Sequence, residues 1–132
     1  MDQPLRVAIA EDSAILRDGL VQLLSDRGFL ITDAVADAEA LRQAVQRERP
    51  DVVVIDIRMP PTFTDEGLRV ALELRRTHRY LGILLFSQYI ETKYAAELLA
   101  EDAAGIGYLL KDRVADVKDF VEALVRVAGG GT

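Results

Sequence analysis

Two largely apolar runs in the sequence end directly on acidic residues, which in that position can act as metal ligands or as a nucleophile. Residues 5–10 lead into Glu11 and Asp12, and residues 52–55 lead into Asp56. An apolar run without alternation is typical of a strand covered on both faces of a parallel sheet. Ligands of such sheets bind beyond the carboxyl ends of the strands, so we expect the three carboxylates to share one site.

Two further predicted strands end on polar groups of a different kind. Residues 81–86 lead into Ser87, and residues 108–110 lead into Lys111. A hydroxyl and an ammonium are groups that hold a phosphoryl oxygen. Carboxylates in one pocket repel one another unless a cation lies among them, and Mg²⁺ suits oxygen ligands while keeping several waters. A carboxylate, Mg²⁺, a lysine and a hydroxyl together predict an aspartyl-phosphate site.

The elements that position these groups alternate between strand and helix five times. Strands are predicted over residues 5–10, 29–36, 51–56, 81–86 and 108–110. Helices are predicted between a cap at Asp12 or Ser13 and Gly28, over 38–49, from the loop 62–67 to about 77, over 91–101, and over 115–127. This alternation predicts an α/β fold, a doubly wound five-stranded parallel sheet of order 2-1-3-4-5 with five helices. In that order the first and third strands are neighbours, and the site lies at the switch point between them.

Composition limits the classes of protein to be considered. The chain has 132 residues, of which 50% are hydrophobic, enough for one domain with its own core. It has no cysteine, which excludes disulfides and thiol catalysis and fits a cytoplasmic location. Its net charge of −6 argues against nucleic-acid binding by this domain itself. No apolar stretch is long enough to cross a membrane, and we expect no membrane contact.

Five polar positions at the predicted strand ends resemble the receiver domain of two-component response regulators, the CheY-like fold: Glu11, Asp12, Asp56, Ser87 and Lys111. The resemblance covers residues 5–128. The segments 56–60, 65–68 and 107–112 resemble more narrowly the NarL/LuxR type, whose receivers precede a DNA-binding helix-turn-helix domain. The resemblance therefore implies a phosphorylated signalling switch rather than a metabolic enzyme.

The resemblance also implies a role for each acidic residue. Asp56 would accept the phosphoryl group from a histidine kinase. Asp12 and Asp56 would bind Mg²⁺ directly, together with the backbone carbonyl of Arg58, and Glu11 would act through a water molecule.

The remaining positions of the resemblance belong to the phosphorylated state. Lys111 and Ser87 would contact the phosphoryl group, and Ser87 would move toward it. Tyr108 matches the aromatic residue that changes rotamer with that movement. A new dianion attracts a hydroxyl and a lysine, which gives this movement a physical cause.

The domain boundaries follow from the same resemblance. We expect residues 1–128 to form the receiver and residues 129–132 to begin a linker, with the output domain absent from this chain. DNA would then be bound only through that output domain, and a homodimer is possible. A natural single-domain regulator is the alternative to this excised receiver.

Two other functions remain open at this point. The first is a receiver-like interaction module that is never phosphorylated, which Gln88 supports because the family usually has a small residue there. The second is a phosphatase of the haloacid dehalogenase type, which also uses an aspartyl nucleophile. That family has a second aspartate two residues later, where this chain has Arg58.

Three bulky residues lie near the expected site and affect access to it: Arg58, Gln88 and Tyr89. Gln88 would restrict the phosphodonor, while Arg58 and Tyr89 would hinder the water that hydrolyses the acyl phosphate. We therefore predict slow autodephosphorylation. Tyr89→Ala should shorten the acyl-phosphate lifetime severalfold, measured by phosphate release from the labelled domain, and an unchanged lifetime would show that Tyr89 does not shield the site.

Overall fold

The computed structural model describes residues 3–60, 66–87, 106–110 and 116–129, with only the backbone of Ser87, Tyr108 and Leu110. Five parallel strands form one sheet of order β2-β1-β3-β4-β5. The strands are β1 (Arg6–Ala10), β2 (Leu30–Val35), β3 (Val52–Asp56), β4 (Gly82–Ser87) and β5 (Ile106–Leu110). The described helices are α1 (Ala14–Asp26), α2 (Ala38–Glu48), α3 (Glu66–Thr77) and α4 (Val117–Ala128). The predicted fold and strand order are confirmed. The predicted helix over 91–101 lies outside the described residues.

The predicted start of the fifth strand was wrong. β5 begins at Ile106, and Gly107 belongs to the strand instead of leading into it. A Cβ atom on Gly107 would lie 2.8 Å from Cγ1 of Val127 in α4. A larger residue here would have to displace the Val127 side chain because the helix packs closely on the strand, a tertiary reason that a local pattern does not contain.

Strand β3 forms the centre of the core, and all of its residues are buried. Its side chains alternate between two apolar layers, one on each face of the sheet. Val53 and Ile55 pack in the layer formed with α2 and α3. Val52 and Val54 pack in the layer formed with α1 and α4. This explains why the run lacks the polar alternation of a strand with one solvated face.

The ends of the first two helices follow the predicted signals. Gly28 has φ +90° and follows α1, where its amide donates to Ser25 O at 3.1 Å. The amide of Phe29 donates to Leu24 O at 3.1 Å, which completes a Schellman motif. Helix α2 ends before Pro50 with Arg49 in the left-handed region at φ 49°. None of the helices among the described residues has the length and apolarity needed to span a membrane.

Helix α3 begins against the backbone at the end of β3. The amide of Gly67 donates to Ile57 O at 2.8 Å. A Cβ atom on Gly67 would overlap the carbonyl oxygen of Asp56 and lie 2.8 Å from the Cα of Ile57. Only glycine allows the two backbones to approach this closely.

We predict that Gly67→Ala lowers the free energy of unfolding by at least about 2 kcal/mol, because the clash is with backbone that cannot rotate away. Gly19→Ala in α1 is the matched control, since a Cβ there meets nothing within 4 Å. It should stabilise the protein by roughly 0.5–1 kcal/mol. Urea unfolding of both variants measures the difference, and equal stabilities would contradict the close approach.

Candidate functional site

The parallel register of β1 and β3 brings the predicted acids together. Ala10 pairs with Ile55, so the next residues, Glu11 and Asp56, emerge side by side at the end of the sheet. One carboxylate oxygen from each of Glu11, Asp12 and Asp56 lies within 4.8 Å of the other two. The expected proximity of these three carboxylates is confirmed.

The acidic cluster is largely shielded from water. Glu11 is 0% exposed and Asp56 is 2% exposed, while Asp12 is half-buried. Buried carboxylates are costly unless hydrogen bonds or a cation offset their charge. Three oxygen donors this close match the preference of a hard divalent cation such as Mg²⁺. The donor set therefore fits the metal that the sequence implied.

The loop between β1 and α1 is held by hydrogen bonds on both sides of Glu11. Its amide donates to Val35 O on β2 at 2.9 Å. Its carbonyl oxygen accepts from Nη1 of Arg17 on α1 at 2.8 Å. Ser13 caps the helix, with its hydroxyl accepting from the amide of Leu16 at 3.3 Å. Ser13 is one of the two caps that the sequence predicted, whereas the contact of Arg17 was not predicted.

The loop after β3 is anchored by hydrogen bonds to the Asp56 side chain and to the neighbouring strand. The amide of Arg58 donates to Oδ1 of Asp56 at 3.3 Å, and the Arg58 residue is exposed. The amide of Ile57 donates to Phe86 O on β4 at 3.1 Å. Together with the contact of Gly67 described above, these bonds fix the direction in which the strand ends. The role of Gly67 was also missed, because the residue was assigned to the loop 62–67, whereas α3 already begins at Glu66.

The remaining candidate residues lie on or beyond β4 and β5. Ser87 is the last residue of β4, directly after Phe86, which pairs with Asp56. Its backbone pairs with Leu110, the last residue of β5. Tyr108 lies within β5. Lys111, Gln88 and Tyr89 are outside the described residues.

Comparison with known proteins identifies the family. The family model for the response regulator receiver domain matches residues 7–124, which is most of the chain. The transcriptional regulatory protein LnrK of Bacillus subtilis is 33% identical over 130 residues, covering 96% of this chain and 55% of that protein. A protein-glutamate methylesterase/protein-glutamine glutaminase of Xanthomonas oryzae pv. oryzae is 30% identical over 115 residues, covering 86% of this chain and 31% of that enzyme.

A solved structure agrees with this sequence relationship. The DNA-binding response regulator of the LuxR family from Staphylococcus aureus superposes with a TM-score of 0.80 and 27% identity. The match covers 94% of this chain and 98% of that chain. This chain spans about half the length of the curated transcription regulators it matches. The chain belongs to the response regulator receiver domain family and is the receiver domain of a two-component response regulator with LuxR-type relatives.

Proposed function

We propose that Asp56 is the phosphoacceptor of this receiver. A carboxylate oxygen of Asp56 attacks the phosphorus of a phosphohistidine on a histidine kinase. The P–N bond breaks, the imidazole leaves and takes up a proton, and an acyl phosphate forms on Asp56. The observation that carries the proposal is the position of Asp56, a 2% exposed carboxylate at the end of the central strand and within 4.8 Å of two other acids.

The acidic cluster holds Mg²⁺ in this proposal. Asp12, Asp56 and the backbone carbonyl of Arg58 bind the ion, and Glu11 acts through water. When bound, Mg²⁺ neutralises charge on the phosphoryl oxygens. Its binding also offsets the repulsion among carboxylates whose nearest oxygens lie within 4.8 Å.

The switch itself is assigned to the ends of β4 and β5. Lys111 contacts the phosphoryl group, Ser87 donates its hydroxyl to it, and Tyr108 changes position with Ser87. The backbone supports this assignment, because Ser87 ends the strand next to β3 and Lys111 directly follows the strand beyond. A phosphoryl group adds about two negative charges, enough to shift a two-state equilibrium.

The output of the switch is the most specific part of the proposal. We assign residues 1–128 to the receiver and residues 129–132 to the start of a linker. The partners are a histidine kinase, a helix-turn-helix domain through which DNA is bound, and a second copy of the chain as a homodimer. Support comes from the LuxR-family likeness and from relatives about twice as long as this chain.

Incubation with acetyl phosphate and Mg²⁺ tests the phosphoacceptor. We expect the mass of one phosphoryl group to be added to the chain and to be lost with Asp56→Asn, because an amide cannot form the acyl phosphate. Asp18→Asn, an exposed acid on α1, is the control and should label like the wild type. Absence of label on the wild type would favour the unphosphorylated interaction module. Continued turnover of a phosphomonoester would favour the phosphatase.

Asp12→Asn should have opposite effects on stability without and with Mg²⁺. Without the ion we expect stabilisation on the order of 1 kcal/mol, because one of three repelling charges is removed. With Mg²⁺ at a hundredfold its Kd, the wild type should gain about 2.7 kcal/mol, and the variant much less. Thermal unfolding with and without MgCl₂ measures both effects, with Asp18→Asn as the charge-matched control. Equal gains in wild type and variant would exclude Asp12 as a ligand.

A further inference from the structure

Arg17 contacts the acidic site without belonging to it. It is the fourth residue of α1, is half-buried, and has Nη1 2.8 Å from the carbonyl oxygen of Glu11. That oxygen belongs to the peptide group that joins Glu11 to Asp12. Charge-assisted hydrogen bonds of this length are among the stronger ones in proteins.

The contact of Arg17 limits how this peptide group can rotate. The other side of Glu11 is already fixed, since its amide donates to Val35 O at 2.9 Å. With its amide and its carbonyl both hydrogen-bonded, the backbone of Glu11 has little freedom to rotate. This fixes the direction in which the Glu11 and Asp12 side chains point from the backbone. Two ligand-bearing residues are thereby oriented before any ion arrives.

The charge of Arg17 acts in the opposite direction. The guanidinium contacts the backbone of Glu11, and its positive charge repels a divalent cation bound nearby. The hydrogen bond should therefore strengthen Mg²⁺ binding, and the charge alone should weaken it. Because the two effects have opposite signs, removing the side chain reveals which one dominates.

We infer that Arg17 is a positioning residue for Mg²⁺, which holds the Glu11–Asp12 peptide in the binding orientation and outweighs the repulsion of its own charge. This inference rests on the proposed magnesium site. Groups that orient metal ligands typically change metal affinity by about 10–100-fold when removed. Arg17 acts through the backbone rather than on a ligand atom, so we expect the lower end of that range, about tenfold.

The test compares three variants with the wild type. Each metal-free domain is titrated with MgCl₂ in a calorimeter, which measures the affinity for Mg²⁺. Arg17→Met should weaken Mg²⁺ binding about tenfold. Arg17→Lys keeps a charged donor and should restore most of the affinity. Arg27→Met removes an exposed arginine at the opposite end of α1 and should leave the affinity unchanged.

A second measurement needs no metal. In Arg17→Met, the amide of Glu11 should exchange its hydrogen faster than in the wild type, because its bond to Val35 loses the support of the fixed neighbouring peptide. Amides in the centre of β3 serve as the internal reference, and an increase there as well would mean general destabilisation and would contradict a local role.

Three results would overturn the inference in different ways. Tighter Mg²⁺ binding by Arg17→Met would show that the charge dominates. Unchanged affinity together with unchanged exchange at Glu11 would show that Arg17 positions nothing. A wild-type domain that binds no Mg²⁺ would refute the proposed magnesium site and this inference with it, whereas the first two results leave the magnesium site intact.

Discussion

The site depends on the parallel pairing of β1 with β3. Their register places Ala10 beside Ile55, so Glu11 and Asp56 leave the sheet next to each other. A slip of one residue would turn the side chains of one strand to the opposite face, because successive residues of a strand alternate in direction. The same slip would exchange the apolar side chains of β3 between the two buried layers. The interactions that bury the core therefore also align the carboxylates, and the register that brings them together cannot change without disturbing the packing.

Placing three acids together opposes folding, and the surrounding structure offsets that cost. Strand β3 is buried along its whole length and supplies apolar contacts to both layers. The start of α3 packs directly on its end through Gly67, which leaves the backbone around Asp56 little room to move. Functional sites commonly carry such locally unfavourable arrangements, which the rest of the fold supports. A bound divalent cation would relieve the repulsion, which couples the stability of the domain to the ligand it is proposed to bind.

The receiver fold does not determine what a receiver domain controls. The relatives of this chain include a transcriptional regulator and a methylesterase, and in both the matched region is only part of the protein. The same domain is thus joined to unrelated output domains. This suits a switch in which a change of charge at one edge of the sheet alters the binding of an attached domain or a partner protein. The proposed DNA-binding output rests on the likeness to a LuxR-family regulator.

The sequence by itself determined the elements of the fold and the acids of the site. Apolar periodicity, helix caps and the positions of Pro50 and Gly28 are local signals, and hydrophobic burial makes them reliable. Only the tertiary structure decided the features that depend on how one element packs against another. The start of β5 was misplaced because Gly107 is a poor strand residue until α4 packs against it. The contacts of Gly67 with Asp56 and of Arg17 with Glu11 were equally absent from any local pattern. They arise when the sheet brings strand ends and helix starts together, a result of three-dimensional packing that spacing along the chain does not encode.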